Sequence, residues 1–351
     1  MVRLAFAMIC FFCLLNPRAA SAWDFQGHRV VGSIADQLLH DNAGKQVQEI
    51  LNEGAPPDPR KDLTLRLSGP WADCVRSVKK DKVTGNFSYV VDQDHLEFEV
   101  PCIVFRSDAE RKRIVDYAER NWSNCKDPPD SGCHTDYHFD DVAIERDTYD
   151  RSDQGTNDHD LVAVIGAAIA VLKGGSAPAP FSIKDKKEAL LMLVHFVGDL
   201  HQPLHVGVVY LDENGKPVDP DVTHKVPPGS STFGGNAIKD QNLDLHTQWD
   251  KIPIDIGDAA TRELMAEARA TPPSQAAMEE WPVEWASDTI RISHQAFMGL
   301  SFLRTRPPPK AEWTVTYDDH PAYLFVADGI KRRQLAKGGA RLAEILNTIW
   351  P

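Results

Sequence analysis

Three histidines and an aspartate fall within thirteen otherwise mostly apolar residues, Leu193-Val194-His195-Phe196-Val197-Gly198-Asp199-Leu200-His201-Gln202-Pro203-Leu204-His205. On a helix, His195 and Asp199 lie four apart and therefore on one face. Pro203 stops that helix and swings His205 round as a third candidate donor. The spacing repeats in Leu245-His246-Thr247-Gln248-Trp249-Asp250, where His246 and Asp250 are again four apart. Imidazole and carboxylate at helical spacing suit a zinc ion, which takes nitrogen and oxygen donors from a rigid wall. Two such pairs point to more than one metal. A carboxylate bridging two cations can hold them about 3.5–4 Å apart, where they act on one water.

Helices must position these donors, and helical periodicity dominates the chain. Val30, Val31, Ile34, Leu38 and Leu39 mark one helix. Leu161–Leu172 reads as a short buried helix, and Lys186–Leu200 as the helix carrying His195 and Asp199. Ala259–Ala270, Trp285–Leu303 and Gly329–Ile349 complete the set. Strand signals are weak; Phe87–Val91 and Phe98–Val104 could pair as a hairpin. Residues 212–235, rich in Gly, Pro, Asp and Ser, read as a loop over the donor-bearing segments, and Arg306-Pro307-Pro308-Pro309 as a linker. The fold class expected is a mainly α single domain with long loops.

The chain opens with Arg3, an apolar run from Leu4 to Leu15, and small residues at Ala20-Ser21-Ala22. That is the pattern of a secretory leader, with an apolar centre too short to span a bilayer. Cleavage after Ala22 would leave 329 of the 351 residues, beginning at Trp23, and implies a secreted or periplasmic protein. Net charge is −13, and loss of Arg3 and Arg18 with the leader takes it to −15. Such a surface argues against nucleic-acid binding through a basic patch, though not against a nuclease whose metal ions supply positive charge locally. Cys10 and Cys13 leave with the leader, and Cys74, Cys102, Cys125 and Cys133 remain. An even number in an exported chain implies two disulfides, with three connectivities open.

Three further stretches carry polar chemistry: Trp23-Asp24-Phe25-Gln26-Gly27-His28, Trp71-Ala72-Asp73-Cys74-Val75-Arg76 and Tyr137-His138-Phe139-Asp140-Asp141. Taken in order with the two His-x-x-x-Asp pairs, they resemble the secreted zinc-dependent single-strand nucleases of the S-one/P-one type, which are related to zinc-dependent phospholipase C. The likeness runs from Trp23 to Asp250, and its most specific part is His195-Phe196-Val197-Gly198-Asp199-Leu200-His201-Gln202-Pro203-Leu204-His205. It implies a mainly α-helical domain over residues 23–351 and a cluster of three zinc ions. Carried over residue by residue, Asp73, His138 and His195 would bind one zinc, and Asp199 would bridge to a second. The second would also take His28 and the α-amino nitrogen and carbonyl oxygen of Trp23. His205, His246 and Asp250 would hold the third. The gap after Asp73 is longer than the family pattern, and His95, His134, His138 and His159 all fall within reach. His95 fits the shorter spacing; His138 is preferred because an aromatic at 139 and an acid at 141 match the family's His-aromatic-x-Asp. Residues 77–133 are then an insertion stapled by disulfides.

The resemblance implies an endonuclease acting on single-stranded DNA and RNA to give 5′-phosphates, with a possible 3′-nucleotidase activity. Arg76 would bind phosphoryl oxygens, steadied by Asp141, and Asp199 would serve catalysis through the metal pair. Phe139 would stack a base, and Asn236, in Gly234-Gly235-Asn236, would lie near the substrate unless it only closes a turn. His201 is expected beside the ligands or facing solvent, and His40, His224, His294 and His320 at the surface. The competing readings are a phospholipase C-like diesterase on lipid head groups and a noncatalytic zinc-binding protein.

Overall fold

The computed structural model describes residues 23–54, 58, 62–93 and 96–351. The expected leader and the alternative ligand His95 lie outside the described residues. About half of the chain is helical, in a mainly α arrangement with a few small sheets. In chain order the helices are α1 (Phe25–Leu38), α2 (Asp41–Leu51), α3 (Leu65–Ser68), α4 (Trp71–Val75), α5 (Leu96–Glu99) and α6 (Asp108–Arg120). They continue with α7 (Leu161–Leu172), α8 (Lys186–Asp199), α9 (Pro203–Val206), α10 (Leu245–Asp250), α11 (Arg262–Ala270), α12 (Trp281–Ala296) and α13 (His320–Ile349). No described helix is long and apolar enough to cross a membrane.

Helix α8 is the axis of the molecule. Asp185 caps it by accepting from Glu188 N, and every residue from Lys187 to Asp199 is buried. A helix apolar on all sides has to be enclosed by others. Helices α1, α3, α4, α7 and α13 pack against it. The enclosure is close: a Cβ on Gly339 of α13 would stand 2.4 Å from Ile34 Cβ on α1, so only glycine lets those two helices meet.

The strands are short and peripheral. Strands β1 (Val78–Lys80) and β2 (Phe87–Tyr89) form an antiparallel hairpin, and β3 (Val142–Ala143) lies parallel to β4 (Gly207–Val208). That parallel pairing sets the His138–Asp141 segment beside His205, where Asp140 N donates to His205 O at 2.8 Å. Strands β5 (Ile238–Asp240), β6 (Leu243–Asp244), β7 (Leu300–Arg306) and β8 (Glu312–Tyr317) make one sheet in the order β6-β5-β8-β7.

Four sequence expectations differ from the structure. The partner of Phe87–Tyr89 is Val78–Lys80, not residues 98–104, which run through α5 and a 3₁₀ turn at Val100–Phe105. Pro101 lacks the N–H a ladder needs, whereas Asp81 accepts from Val83 N and Thr84 N to close the turn after β1. The helix expected over Trp285–Leu303 starts at Trp281 and ends at Ala296, and Leu300–Arg306 is strand. Pro307–Pro309 therefore sit in a hairpin connection rather than a linker. The last helix begins a full nine residues before Gly329, at His320, where Asp319 accepts from Ala322 N and Pro321 occupies the first turn.

The excursion after α4 is tied at both ends by disulfides Cys74–Cys102 and Cys125–Cys133. Within it His134 is buried, with its ring 5.6 Å from that of Trp122 and Nε2 lacking a hydrogen-bond partner. Burial lowers its pKa from 6.5 to about 3. Above pH 6.5 the ring is neutral folded or unfolded; as pH falls from there towards 3, only the unfolded chain takes the proton. Stability is then lost at about 1.4 kcal/mol per pH unit. His134→Phe should remove this loss. The stability difference between pH 7 and pH 4.5, read from urea unfolding, should shrink by on the order of 2 kcal/mol. An unchanged difference would show that another group carries the acid sensitivity.

Candidate metal centre

Buried nitrogen and oxygen donors collect in three groups: His28, His195 and Asp199; Asp73, His138 and His195; and His205, His246 and Asp250. Within each group the donor atoms lie within 4.8 Å of one another. The first two share His195. Helix α8 supplies His195 and Asp199, α1 supplies His28, α4 supplies Asp73, and the 3₁₀ turn Cys133–His138 supplies His138. Helix α10 presents His246 and Asp250 from one face, and the short α9 presents His205.

Asp199 divides its two oxygens. Oδ1 faces His28 Nε2 at 3.2 Å, while Oδ2 faces His138 Nδ1 at 3.0 Å and His195 Nε2 at 3.2 Å. His195 Nε2 also meets His138 Nδ1 at 3.2 Å and Asp73 Oδ1 at 3.9 Å. In the third group the Nε2 atoms of His205 and His246 stand 3.0 Å apart, with Asp250 oxygens at 3.8 and 3.6 Å.

Backbone carbonyls decide which ring nitrogens face inward. His195 Nδ1 donates to Gly69 O at 2.8 Å, His205 Nδ1 to His138 O at 2.5 Å and His246 Nδ1 to Gly234 O at 2.7 Å. Each of these three rings therefore carries its proton outward and turns the Nε2 lone pair to the centre. Two buried lone pairs 3.0 Å apart repel, and a cation between them turns that repulsion into ligation. His28 Nδ1 and Nε2 and Asp199 Oδ1 are likewise buried without a hydrogen-bond partner. Unsatisfied buried polar atoms are costly, so this donor set fits metal ions.

The electrostatics agree. Burial pushes the Asp250 carboxyl well above the usual carboxylate range, against the pull of His246. Burial likewise works to raise Asp199, but His195 and His28 outweigh it and hold that carboxyl well below its ordinary value. Burial, reinforced by His195, brings His28 down to about 4, so its ring is a neutral donor at physiological pH.

Around the donors lie supports that the sequence did not single out. Gln202 Nε2 donates to Asp250 Oδ1 at 2.7 Å, while its Oε1 accepts from Leu204 N and caps α9. A polar residue just before Pro203 was the available signal. Gly198 has no side chain because a Cβ would stand 2.8 Å from His28 Nδ1, and its carbonyl accepts from Trp23 Nε1 at 2.9 Å. Trp23 is fully buried, and the next residue's N–H (Asp24) donates to Asp250 O at 3.0 Å. Another grouping, Cys125, Asp136 and His159, offers no thiolate because Cys125 is in a disulfide.

A cavity of ≈ 630 Å³ opens above the donors, with His138, His205 and His246 at its base. Arg76, Phe139, Asp141 and Asn236 all line it. Arg76 NH1 has Asp73 Oδ1 as its carboxylate partner, at 3.5 Å. Asp141 is half-buried at φ +57°, a left-handed conformation that aspartate tolerates, and desolvation raises its carboxyl to about 7. Asn236 Nδ2 donates to Phe233 O at 2.7 Å and fastens its own turn. Phe233, passed over in the sequence, is an exposed aromatic on the same cavity wall. His201 is neither near the donors' lone pairs nor in solvent: it is buried, donates to Val197 O and meets Arg341 NH1 at 3.2 Å. His294 is half-buried against Arg146 O rather than free at the surface.

A mainly helical domain with buried metal-type donors under an open, cation-bearing cleft has the makings of a phosphoester hydrolase. The model of the S1/P1 nuclease family matches residues 23–351, and the chain belongs to that family. It is 24% identical to Endonuclease 2 of Arabidopsis thaliana over 344 residues, covering 93% of this chain and 90% of the relative. It is also 24% identical to Endonuclease 1 of the same plant over 347 residues, covering 96% and 90%. The protein is a nuclease, a phosphodiester-hydrolysing enzyme.

Two substitutions probe the centre without activity as the readout. Asp199→Asn takes the charge from the carboxylate that faces His28 on one side and His138 and His195 on the other, and should lower tightly held metal by up to two ions per chain by elemental analysis. Gly198→Ala presses on the His28 ring and should cost about one ion while circular dichroism stays helical. Full metal content in both variants would detach these residues from metal binding.

Proposed function

We propose that the chain, processed to begin at Trp23 and exported to an oxidising compartment, cuts single-stranded DNA and RNA to 5′-phosphate products and also removes 3′-phosphates from nucleotides. The two disulfides favour such a compartment. Three zinc ions are the cofactors of this reading. Asp73, His138 and His195 would hold one; His28, Asp199 and the amino nitrogen and carbonyl oxygen of Trp23 would hold a second, with Asp199 shared between the two. His205, His246 and Asp250 would hold the third. When bound, zinc supplies Lewis acidity toward phosphoryl oxygens and toward water.

The observation that carries the reading is the division of Asp199, one oxygen toward His28 and the other toward His138 and His195. A carboxylate so placed supports two cations side by side.

The chain's own groups do the rest. Arg76, at the edge of the cleft, offers a planar fork to the charged phosphoryl oxygens as negative charge builds on them. Asp141 is the acid that steadies that guanidinium once substrate draws it from Asp73. Phe139 is the platform for a base, a contact worth about 1–3 kcal/mol, and Asn236 flanks the substrate from the opposite loop. Stacking needs a base that is out of the duplex, which gives the single-strand preference a physical cause. Breaking the P–O3′ bond leaves the phosphate on the 5′ carbon.

Assays on a single-stranded oligonucleotide and on phosphatidylcholine, run on the zinc-loaded protein beginning at Trp23, should give turnover of the first and little of the second. A form with one added methionine before Trp23 loses the amine donor and should keep its fold but little of its activity. Equal activity in the two forms would remove Trp23 from the centre, and preferential cleavage of the lipid would make the enzyme a phospholipase.

A further inference from the structure

The hairpin β1–β2 adds something the centre does not need. Lys79 and Lys80 on β1 and Lys82 in the following turn line the same cavity as His138, His205 and His246. With Arg76 they put four cations on one cleft of a chain whose net charge is −13. Asp130, Asp136 and Asp141 share the cavity, so the positive character belongs to the hairpin side and not to the whole opening.

The cations also come in order. Arg76 reaches back to Asp73 at the donor cluster, and the chain then runs out along β1, at about 3.3 Å per residue, to Lys82 at the turn. The strand that carries them is firmly held. Ser77 Oγ and Tyr89 OH both donate to Glu99 at 2.8 Å, and the Arg111 guanidinium stands 3.5 Å from the Tyr89 ring centre. Cys74–Cys102 closes the base, and Phe87 packs on Trp122, another cavity wall, at 5.0 Å. The result is an anchored backbone with exposed lysines, of which Lys79 Nζ donates to Arg76 O at 3.1 Å and Lys80 Nζ stands 5.4 Å from the Phe87 ring centre. Lysine is a strongly hydrated point charge that attracts phosphate without reading bases.

We propose that this hairpin is a second binding site of the cleft, a phosphate track that holds the sugar–phosphate backbone of a single strand beyond the nucleotide being cut. The proposal rests on the nuclease reading above and extends it: the track makes the enzyme prefer strands of several nucleotides to dinucleotides. Arg76 serves the reacting phosphate, and the three lysines serve its neighbours.

The test compares the zinc-loaded protein beginning at Trp23 with its K79Q/K80Q/K82Q variant on a twelve-residue oligothymidylate and on the thymidine dinucleotide, between 50 and 200 mM salt. Each single-strand phosphate contact contributes about 0.7 to the salt slope, so the variant's slope of log KM for the twelve-mer should fall by about 2, with KM raised about tenfold at low salt. Its kcat/KM for the dinucleotide should stay within about twofold of the parent, since the proposed track lies beyond so short a substrate. An unchanged slope, or an equal loss on both substrates, overturns the track. Fluorescence anisotropy of the labelled twelve-mer keeps the two readings apart. Weaker binding by the variant, when the parent cuts neither substrate, would retain the track and reject the nuclease mechanism.

Discussion

Everything in this molecule is arranged around nitrogen lone pairs that have been taken out of water and aimed at one another. The Nε2 atoms of His205 and His246, 3.0 Å apart, have no proton to share because each ring has given its own to a backbone carbonyl. Such a contact is unfavourable in a low-dielectric interior unless positive charge stands between the rings. The same holds around Asp199, whose neighbours are three imidazoles. An ion held here would be linked to stability, because the axis helix that builds the core is also the wall that carries His195 and Asp199.

How far this was readable in the chain depended on how local each signal was. His195 with Asp199, and His246 with Asp250, are set by helical spacing alone, and the structure gathers both pairs into donor groups. Helices α7 and α8 were also readable, because their long apolar runs are too long for buried strands. The strands were not. Leu300–Arg306 and Glu312–Tyr317 alternate with period two, but they follow directly on a long helical pattern that masked the change. Gly69, Gly234 and His138 act through carbonyl oxygens, which every residue possesses, so no side-chain pattern could have named them. Gly198 was visible in the motif, but its reason, the His28 ring 2.8 Å from where a Cβ would be, is a tertiary fact.

Composition is silent on local charge. A net charge of −13 describes the whole chain, while one side of the cleft carries Arg76, Lys79, Lys80 and Lys82 opposite Asp130, Asp136 and Asp141. Screening confines surface charges to about 8–10 Å at ordinary ionic strength. On the proposed track, a substrate at the cleft would feel the hairpin's lysines more than the carboxylates that lie beyond that range.

The bridge between Cys74 and Cys102 begins on the residue after Asp73. One covalent link thus joins a donor of the centre to the segment that forms the cleft wall. A chain that has not yet met an oxidant lacks that clamp, so the Val100–Phe105 turn, with Glu99 beside it that accepts from Ser77 and Tyr89, would be held to α4 by packing and hydrogen bonds alone. On the exported reading proposed above, this would be a safeguard for an enzyme that destroys nucleic acid, because oxidation would complete the cleft only outside the compartment that made the chain.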